Sequence, residues 1–138
     1  MDMPAILEFL LPRRPLSHQA KNSIHKQEWR NFVYGRAFSK WTQKPITQGS
    51  LKFSVVYLCE DDPGDINNII KPIQDALNAL VYSDDSLIWD VTGHMRLLSD
   101  PIDIVGLPAL LAEAVIGGTE CVYVRITNSN ELNLEIKQ

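Results

Sequence analysis

The chain has 138 residues, of which 45% are hydrophobic and 22% are charged, with a formal net charge of −4. This length suits one domain with a hydrophobic core, so we expect residues 1–138 to form a single domain. No apolar run approaches the ~20 residues of a membrane span, and the N-terminus lacks the order of a signal peptide. Cys59 and Cys121 have no zinc-ligand spacing, which predicts reduced core thiols in a cytoplasmic protein.

Strand and helix patterns alternate along the first half of the chain. Residues 51–58 alternate apolar and polar side chains, as a half-buried strand does, while residues 23–41 repeat apolar side chains every three to four positions, as a helix does. In chain order, the pattern predicts a strand at Ala5–Leu11, a loop at Arg13–Asn22, a helix at Ser23–Trp41, a strand at Leu51–Leu58 and an acidic turn at Glu60–Gly64.

An amphipathic helix is predicted next, over Asn67–Leu80. At roughly 100° per residue, Asn68, Lys71 and Asp75 fall in one narrow polar stripe. Asp65 precedes the helix and is a good N-cap residue, which by itself explains its presence. Because Asp84 and Asp85 follow the helix closely, we expect the returning chain to bring their carboxylates near the polar stripe. Carboxylates beside a lysine are typical of Mg²⁺-assisted chemistry on phosphate.

The remaining pattern completes an α+β domain. The apolar run at residues 121–126 predicts a strand that is buried on both faces. In chain order, we predict a strand at Leu87–Met95, a helix at Leu107–Ile116, a strand at Cys121–Ile126 and a last edge strand at Leu132–Ile136. The expected fold is a single compact domain in which a mixed β-sheet of about four strands is flanked by helices.

The charges are distributed unevenly along the chain. Residues 1–52 contain nine Lys and Arg and three Asp and Glu, a net charge of +6, whereas residues 53–138 have a net charge of −10. Such a chain can present a basic surface to a polyanion and keep an acidic pocket for a metal. The basic residues are also explained as the solvated face of a helix, and charge alone leaves that interpretation open.

One constellation of polar residues resembles the RusA family of Holliday-junction resolvases. Its motif runs through Asp65, Asn68, Lys71, Asp75, Ala76 and Leu77 and continues at Asp84, Asp85 and Ile88. Weaker similarity extends to the loop at residues 15–22 and to the helix and strand between residues 107 and 124.

The resemblance implies a homodimeric endonuclease that depends on Mg²⁺ or Mn²⁺ and acts on branched DNA such as a four-way junction. By position in the motif, Asp65, Lys71 and Asp85 are the catalytic residues. The metal ligands are Asp65, Asn67 and Asp85, with Asp84 as a further candidate, and Asn68 and Asp75 have supporting roles. The basic residues that we expect to hold the DNA backbone are Arg13, Arg14, Lys21 and Lys26.

Asn67 departs from the family pattern, which usually has an aspartate at this position. An amide oxygen ligates a hard cation without adding charge, so we expect weaker metal binding. Asp61, Asp62 or Asp84 are alternative sources of the missing charge. Two other functions stay open: a protein that binds branched DNA without cutting it, and an acidic interaction protein whose carboxylates only cap helices and turns.

Overall fold

A four-stranded mixed sheet organises the protein, for which a computed structural model describes residues 3–17 and 19–137. Its strands are β1 (Ala5–Leu11), β2 (Leu51–Cys59), β3 (Ile88–Leu97) and β4 (Cys121–Asn128). Their order across the sheet is β1-β4-β2-β3. β2 and β3 are parallel, and β4 runs antiparallel to both of its neighbours. β1 and β3 are therefore the two edge strands.

Helices connect and cover these strands. Within the described residues they are α1 (Ser23–Phe38), α2 (Ile66–Leu77), α3 (Ala109–Gly117) and a short α4 (Leu132–Glu135). α2 is the crossover between the parallel strands β2 and β3, as parallel pairing requires. Both long helices begin at a side-chain cap: the Asn22 side chain accepts from two backbone N–H groups of α1, and the Asp65 side chain accepts from one in α2.

The two faces of the sheet are covered differently. The alternating residues of β2 from Leu51 to Tyr57 are buried on the face that packs against α1 and α2, in the main core. Leu58, Leu111, Cys121 and Tyr123 form a smaller core on the opposite face, under α3. The backbone of β4 separates these two cores, which explains its continuous apolar run. The polar stripe of α2 thus lies at the margin of the larger core.

The predicted α+β domain with a mixed four-stranded sheet is confirmed. The predicted edge strand at Leu132–Ile136 is wrong, because these residues begin with helix α4 and pair with no strand. β4 already has a neighbour on each side, and Glu135 accepts hydrogen bonds from the Lys52 ammonium (2.6 Å) and from the Asn130 N–H (3.3 Å). These contacts fix a helical turn there.

The structure also bears on the predicted cysteine thiols and on the search for a membrane span. Cys59 and Cys121 are buried free thiols, as predicted, and burial raises the pKa of Cys121 to about 11. Within the described ranges, none of the helices combines the length and apolarity that a membrane crossing requires. His18, which belongs to the family-like loop, lies outside the described residues.

Candidate active site

Three of the predicted residues meet in one group of charges beside α2. The Lys71 ammonium lies 2.9 Å from Asp75 Oδ1 and donates a hydrogen bond of 3.0 Å to Asp85 Oδ2. All three side chains are partly exposed, with 45% exposure for Lys71. Hydrogen bonds to Asp75 and then to Asp85 raise the pKa of Lys71 above its usual value. The group therefore holds a fixed positive charge between two carboxylates.

The local sequence explains how this group assembles. Lys71 and Asp75 are four residues apart on α2, a spacing that places their side chains together. Asp85 begins a single 3-10 turn, Asp85–Leu87, and the Asp84 side chain caps that turn by accepting from the Ser86 N–H (3.2 Å). Hydrogen bonds from Ser86 lower the pKa of Asp84. Asp84 thus orients the turn that presents Asp85 to Lys71.

A tyrosine that the sequence analysis missed anchors the return of the chain. The buried Tyr82 hydroxyl donates to the Gln74 carbonyl oxygen at 2.6 Å, near the end of α2. Burial raises the pKa of this hydroxyl, so it stays a protonated donor. Tyr82 lies three residues before Asp85, so this hydrogen bond attaches the returning chain to the helix that contains Lys71. In the sequence, a tyrosine between the predicted helix and the two aspartates could have indicated this buried hydrogen bond.

Asp65 and Asn67 lie at the other end of α2. Asp65 Oδ1 accepts from the Asn67 N–H at 3.0 Å, and both residues are exposed. At the usual rise of a helix, Lys71 is about 9 Å further along the helix axis than Asp65. The structure therefore joins Lys71, Asp75 and Asp85 directly, while Asp65 and Asn67 form the helix start. Asn68, half-buried, lies between the two groups along α2.

The donor atoms fit a hard divalent cation that keeps much of its water. In residues 3–17 and 19–137, no three His, Cys, Asp or Glu side chains are grouped as a metal site. Asp65 Oδ1 accepts from the Asn67 N–H and Asp85 Oδ2 accepts from Lys71, so the predicted ligand set would have to use the second oxygen of each carboxylate and the exposed Asn67 amide. Mg²⁺ is usually bound by one or two carboxylates, water and substrate phosphate, not by a complete protein cage.

A family model for endodeoxyribonuclease RusA matches residues 12–104 of this chain. The chain belongs to the RusA family. The matched range includes every residue of the predicted site, from Arg13 to Asp85. The predicted family is confirmed, and with it the assignment to a family of endodeoxyribonucleases that resolve Holliday junctions. A search of curated protein sequences found no match.

The alternative carboxylates of this RusA chain are engaged in its acidic turn. Asp61 Oδ1 lies 2.6 Å from the Arg14 guanidinium, and Asp62 Oδ1 accepts from the Gly64 N–H at 3.1 Å. Both contacts stabilise the turn itself. Of the carboxylates considered for the missing charge, Asp84 lies next to a predicted ligand, and its Oδ2 accepts from Ser86.

Basic side chains of α1 lie beside the charged group. Lys26 and Arg30 line a cavity of about 100 Å³ whose other walls include Pro72 and Asp75 of α2. Neither cation forms a salt bridge within the described part of the chain. Arg30 was not among the predicted DNA contacts, although its position four residues after Lys26 places both on one helix face. Lys26 and Arg30 therefore form a basic pair on α1 beside the site.

The other predicted DNA contacts have different surroundings. Lys21 is exposed just before α1. The Arg13 guanidinium lies 3.6 Å from the centroid of the Phe32 ring, a cation–π contact that leaves its edge available to a phosphate. Arg14 is occupied by the acidic turn, through Asp61 and the Asp62 carbonyl oxygen.

The tryptophans divide into two classes. Trp29 and Trp41 are buried in the core, whereas Trp89 is 75% exposed. Trp89 has no partner in the ladder, because Leu51 pairs with Ile88 and Lys52 pairs with Asp90. This irregularity lies on the edge strand, four residues after Asp85, where bulges often redirect a side chain near an active site. The Trp89 side chain is therefore not part of the core.

Proposed function

We propose that this RusA-family chain is a metal-dependent endodeoxyribonuclease that resolves four-way DNA junctions by paired hydrolysis of phosphodiester bonds. One observation supports this most: the Lys71 ammonium is held between the carboxylates of Asp75 and Asp85, within the segment that the family model matches. A lysine paired in this way beside open carboxylate oxygens suits phosphoryl chemistry.

Asp65, Asn67 and Asp85 are the proposed ligands of Mg²⁺ or Mn²⁺, with Asp84 as a nearby source of negative charge. When bound, the cation lowers the pKa of a coordinated water and withdraws charge from the scissile phosphate. Asp65 also caps α2, so one of its oxygens is oriented by the helix start. Because Asn67 adds no charge, the protein relies on the two aspartates for electrostatic attraction.

Lys71 has the electrostatic role in this proposal. A preorganised cation stabilises negative charge as it develops on the phosphoryl oxygens. Asp75 holds the ammonium through a 2.9 Å contact that does not involve Asp85. The raised pKa of Lys71 keeps its side chain charged at neutral pH. Asp75 is therefore a positioning residue for Lys71.

The DNA backbone would lie along the N-terminal basic residues. Lys21, Lys26 and Arg30, with the stacked Arg13, offer positive charge next to the site, and phosphate contacts of this kind are independent of sequence. A four-way junction has near two-fold symmetry, so a homodimer would present two sites to opposing strands. The reduced thiols of Cys59 and Cys121 suit the cytoplasm, where we propose that the protein acts.

A second function deserves its own test because of Asn67. With one carboxylate fewer than the family pattern, the chain could bind junctions and cleave them poorly. Binding would still depend on the basic residues of α1, whose charge does not involve the metal ligands. The two functions predict the same affinity for junctions but different rates of junction cleavage.

The experiment is a cleavage assay on a labelled four-way junction with Mg²⁺, with Mn²⁺ and with EDTA. Symmetric nicks that require the cation support the resolvase. A salt-sensitive complex without nicks supports the binding protein, and the absence of both removes both proposals. A linear duplex of the same sequence is the control for structure specificity, and sedimentation of the free protein tests the homodimer.

A further inference from the structure

Three chain segments that are far apart in sequence meet where strands β1 and β2 end and β4 begins. β1 and β2 both end where β4 begins, since Leu11 pairs with Val122 and Leu58 pairs with Cys121. The residues that follow or precede these ends are Arg14, the acidic turn at residues 60–64, and Glu120. The turn leads directly to Asp65. The contacts between these three segments therefore determine where the start of α2 lies.

Arg14 is the centre of the contacts between these segments. Its Nη1 lies 2.6 Å from Asp61 Oδ1 and 3.6 Å from Glu120 Oε2. Its Nη2 donates to the Asp62 carbonyl oxygen at 2.5 Å. Glu120 Oε2 also accepts from the Glu60 N–H at 2.8 Å. The guanidinium thus contacts the turn at two consecutive residues and connects it to the start of β4.

The contacts continue from the turn into the proposed metal ligands. Asp62 Oδ1 accepts from the Gly64 N–H, and Gly64 has a φ of +73°, a left-handed conformation that glycine adopts without strain. Asp65 follows immediately and accepts from the Asn67 N–H. These hydrogen bonds, together with the peptide bond between Gly64 and Asp65, therefore connect Arg14 to Asn67. Displacing the turn would displace both ligands.

We propose that Arg14 is a positioning residue, whose guanidinium holds the acidic turn against the sheet so that Asp65 and Asn67 face the substrate. This inference rests on the proposed function for its catalytic consequence, although the contacts themselves do not. It assigns to Arg14 a role other than the phosphate contact expected from charge. Lys26 is the comparison residue that we expect to contact phosphate. It belongs to the basic pair on α1 and forms no salt bridge within the described residues.

The two roles of Arg14 differ in the salt dependence of binding. Half of its side chain is exposed, so a phosphate could reach it. Each phosphate neutralised by a protein cation contributes about −0.9 to the slope of log affinity against log salt on duplex DNA. A residue that only positions the turn contributes nothing to this slope.

The experiment compares Arg14→Gln with Lys26→Gln in EDTA, using junction affinity over a range of salt concentrations. We expect the slope to become shallower by about 0.9 for Lys26→Gln and to stay unchanged for Arg14→Gln. Hydrogen exchange supplies the second readout: the amides of residues 60–67 should exchange at least about threefold faster in Arg14→Gln, as loss of a partly exposed ion pair implies. A slope shallower by about 0.9 in Arg14→Gln overturns the proposal, and so does unchanged exchange.

Asp61→Asn provides a test that removes no cation. It should accelerate exchange over the same residues, and combining it with Arg14→Gln should add little to Arg14→Gln alone, because Arg14→Gln already removes the contact with Asp61. Additive effects would contradict the proposal. The exchange measurements need neither DNA nor metal, so they remain decisive if the wild-type protein fails to cleave junctions. If it does cleave, both single variants should be slower at equal junction occupancy.

Discussion

The two ends of the proposed site are held by different kinds of interaction. At the start of α2, Asp65 and Asn67 are exposed and depend on backbone hydrogen bonds of the cap and the acidic turn. Further along α2, Lys71 and two carboxylates form a partly buried group of opposite charges. The first end offers oxygen atoms to a cation, and the second supplies a cation of its own. We therefore expect changes at the two ends to affect metal binding and turnover differently.

The largest expected effect follows from Asp85→Asn, because two proposed roles meet in this one residue. This change removes a proposed metal ligand and one partner of Lys71 together. Junction cleavage should fall by about 10³-fold or more, in line with the loss of a charged group that stabilises the transition state. Junction affinity in EDTA should stay within about threefold, since the basic residues that bind DNA are untouched. The measurement is single-turnover cleavage at saturating protein.

Asp90→Asn is the matched control for Asp85→Asn. Asp90 lies on β3 opposite Lys52 in the ladder, on the face of the sheet away from α2. Both variants lose one negative charge within the same stretch of chain. Equal losses of cleavage in the two variants would contradict a specific role for Asp85.

Lys71→Gln tests the second end of the site alone. The change removes the ammonium and leaves the proposed ligands in place, so cleavage should fall by about 10²-fold through the rate constant of the chemical step. The concentration of Mg²⁺ at half-maximal rate should not rise, because no ligand is lost. Lys71→Arg, which keeps the charge, should be affected less. If Lys71→Gln instead weakens junction binding at an unchanged rate constant, Lys71 is only a DNA contact.

Asn67→Asp tests the first end and should increase activity. An added carboxylate strengthens the attraction for a divalent cation, so half-maximal cleavage should require about tenfold less Mg²⁺. Calorimetric titration with Mn²⁺ measures the same change without DNA. Asn68→Asp is the control, since it adds the same charge one residue further along α2. A slower Asn67→Asp variant with an intact fold would show that the role of this position is misassigned.

The periodic parts of the fold were predictable because burial imposes a local pattern. β2 alternates since one of its faces packs on α1 and α2, and β4 is continuously apolar since both of its faces are buried. Helix α2 was predicted with its cap and its polar stripe, because both depend on residues within a few positions of one another. The contact between Lys71 and Asp75 belongs to this local class.

Contacts between distant segments were not predictable in the same way. Arg14 and Asp61 are 47 residues apart, and they meet only because β4 lies between β1 and β2 in the sheet. No local pattern encodes that strand order. The exposure of Trp89 likewise depends on an irregular register with β2. Leu132–Ile136 alternates like a strand, yet no strand edge was free to receive it beside β4.

The smallest expected effect concerns stability and comes from the ion pairs of Lys71. Asp75, and then Asp85, raise the pKa of Lys71 in the folded protein above its usual value of about 10.4. Its contribution to the free energy of unfolding is therefore fully present below that value and is lost as the pH rises through the raised pKa. Because the Lys71 side chain is 45% exposed, we expect about 0.5 kcal/mol at most.

Urea unfolding of the wild type and Lys71→Met at pH 8 and at a pH above the raised pKa of Lys71 measures this contribution as a difference. The wild type should be more stable at pH 8, and the gap should close at the higher pH, where the ammonium loses its proton. High salt at pH 8 should narrow the gap as well, since the pairs are partly screened. Lys40→Met, which removes a cation without a salt bridge in the described residues, is the matched control for the loss of a lysine side chain. A Lys71→Met gap that persists above the raised pKa would mean that the packing of the side chain, and not its charge, stabilises the end of α2.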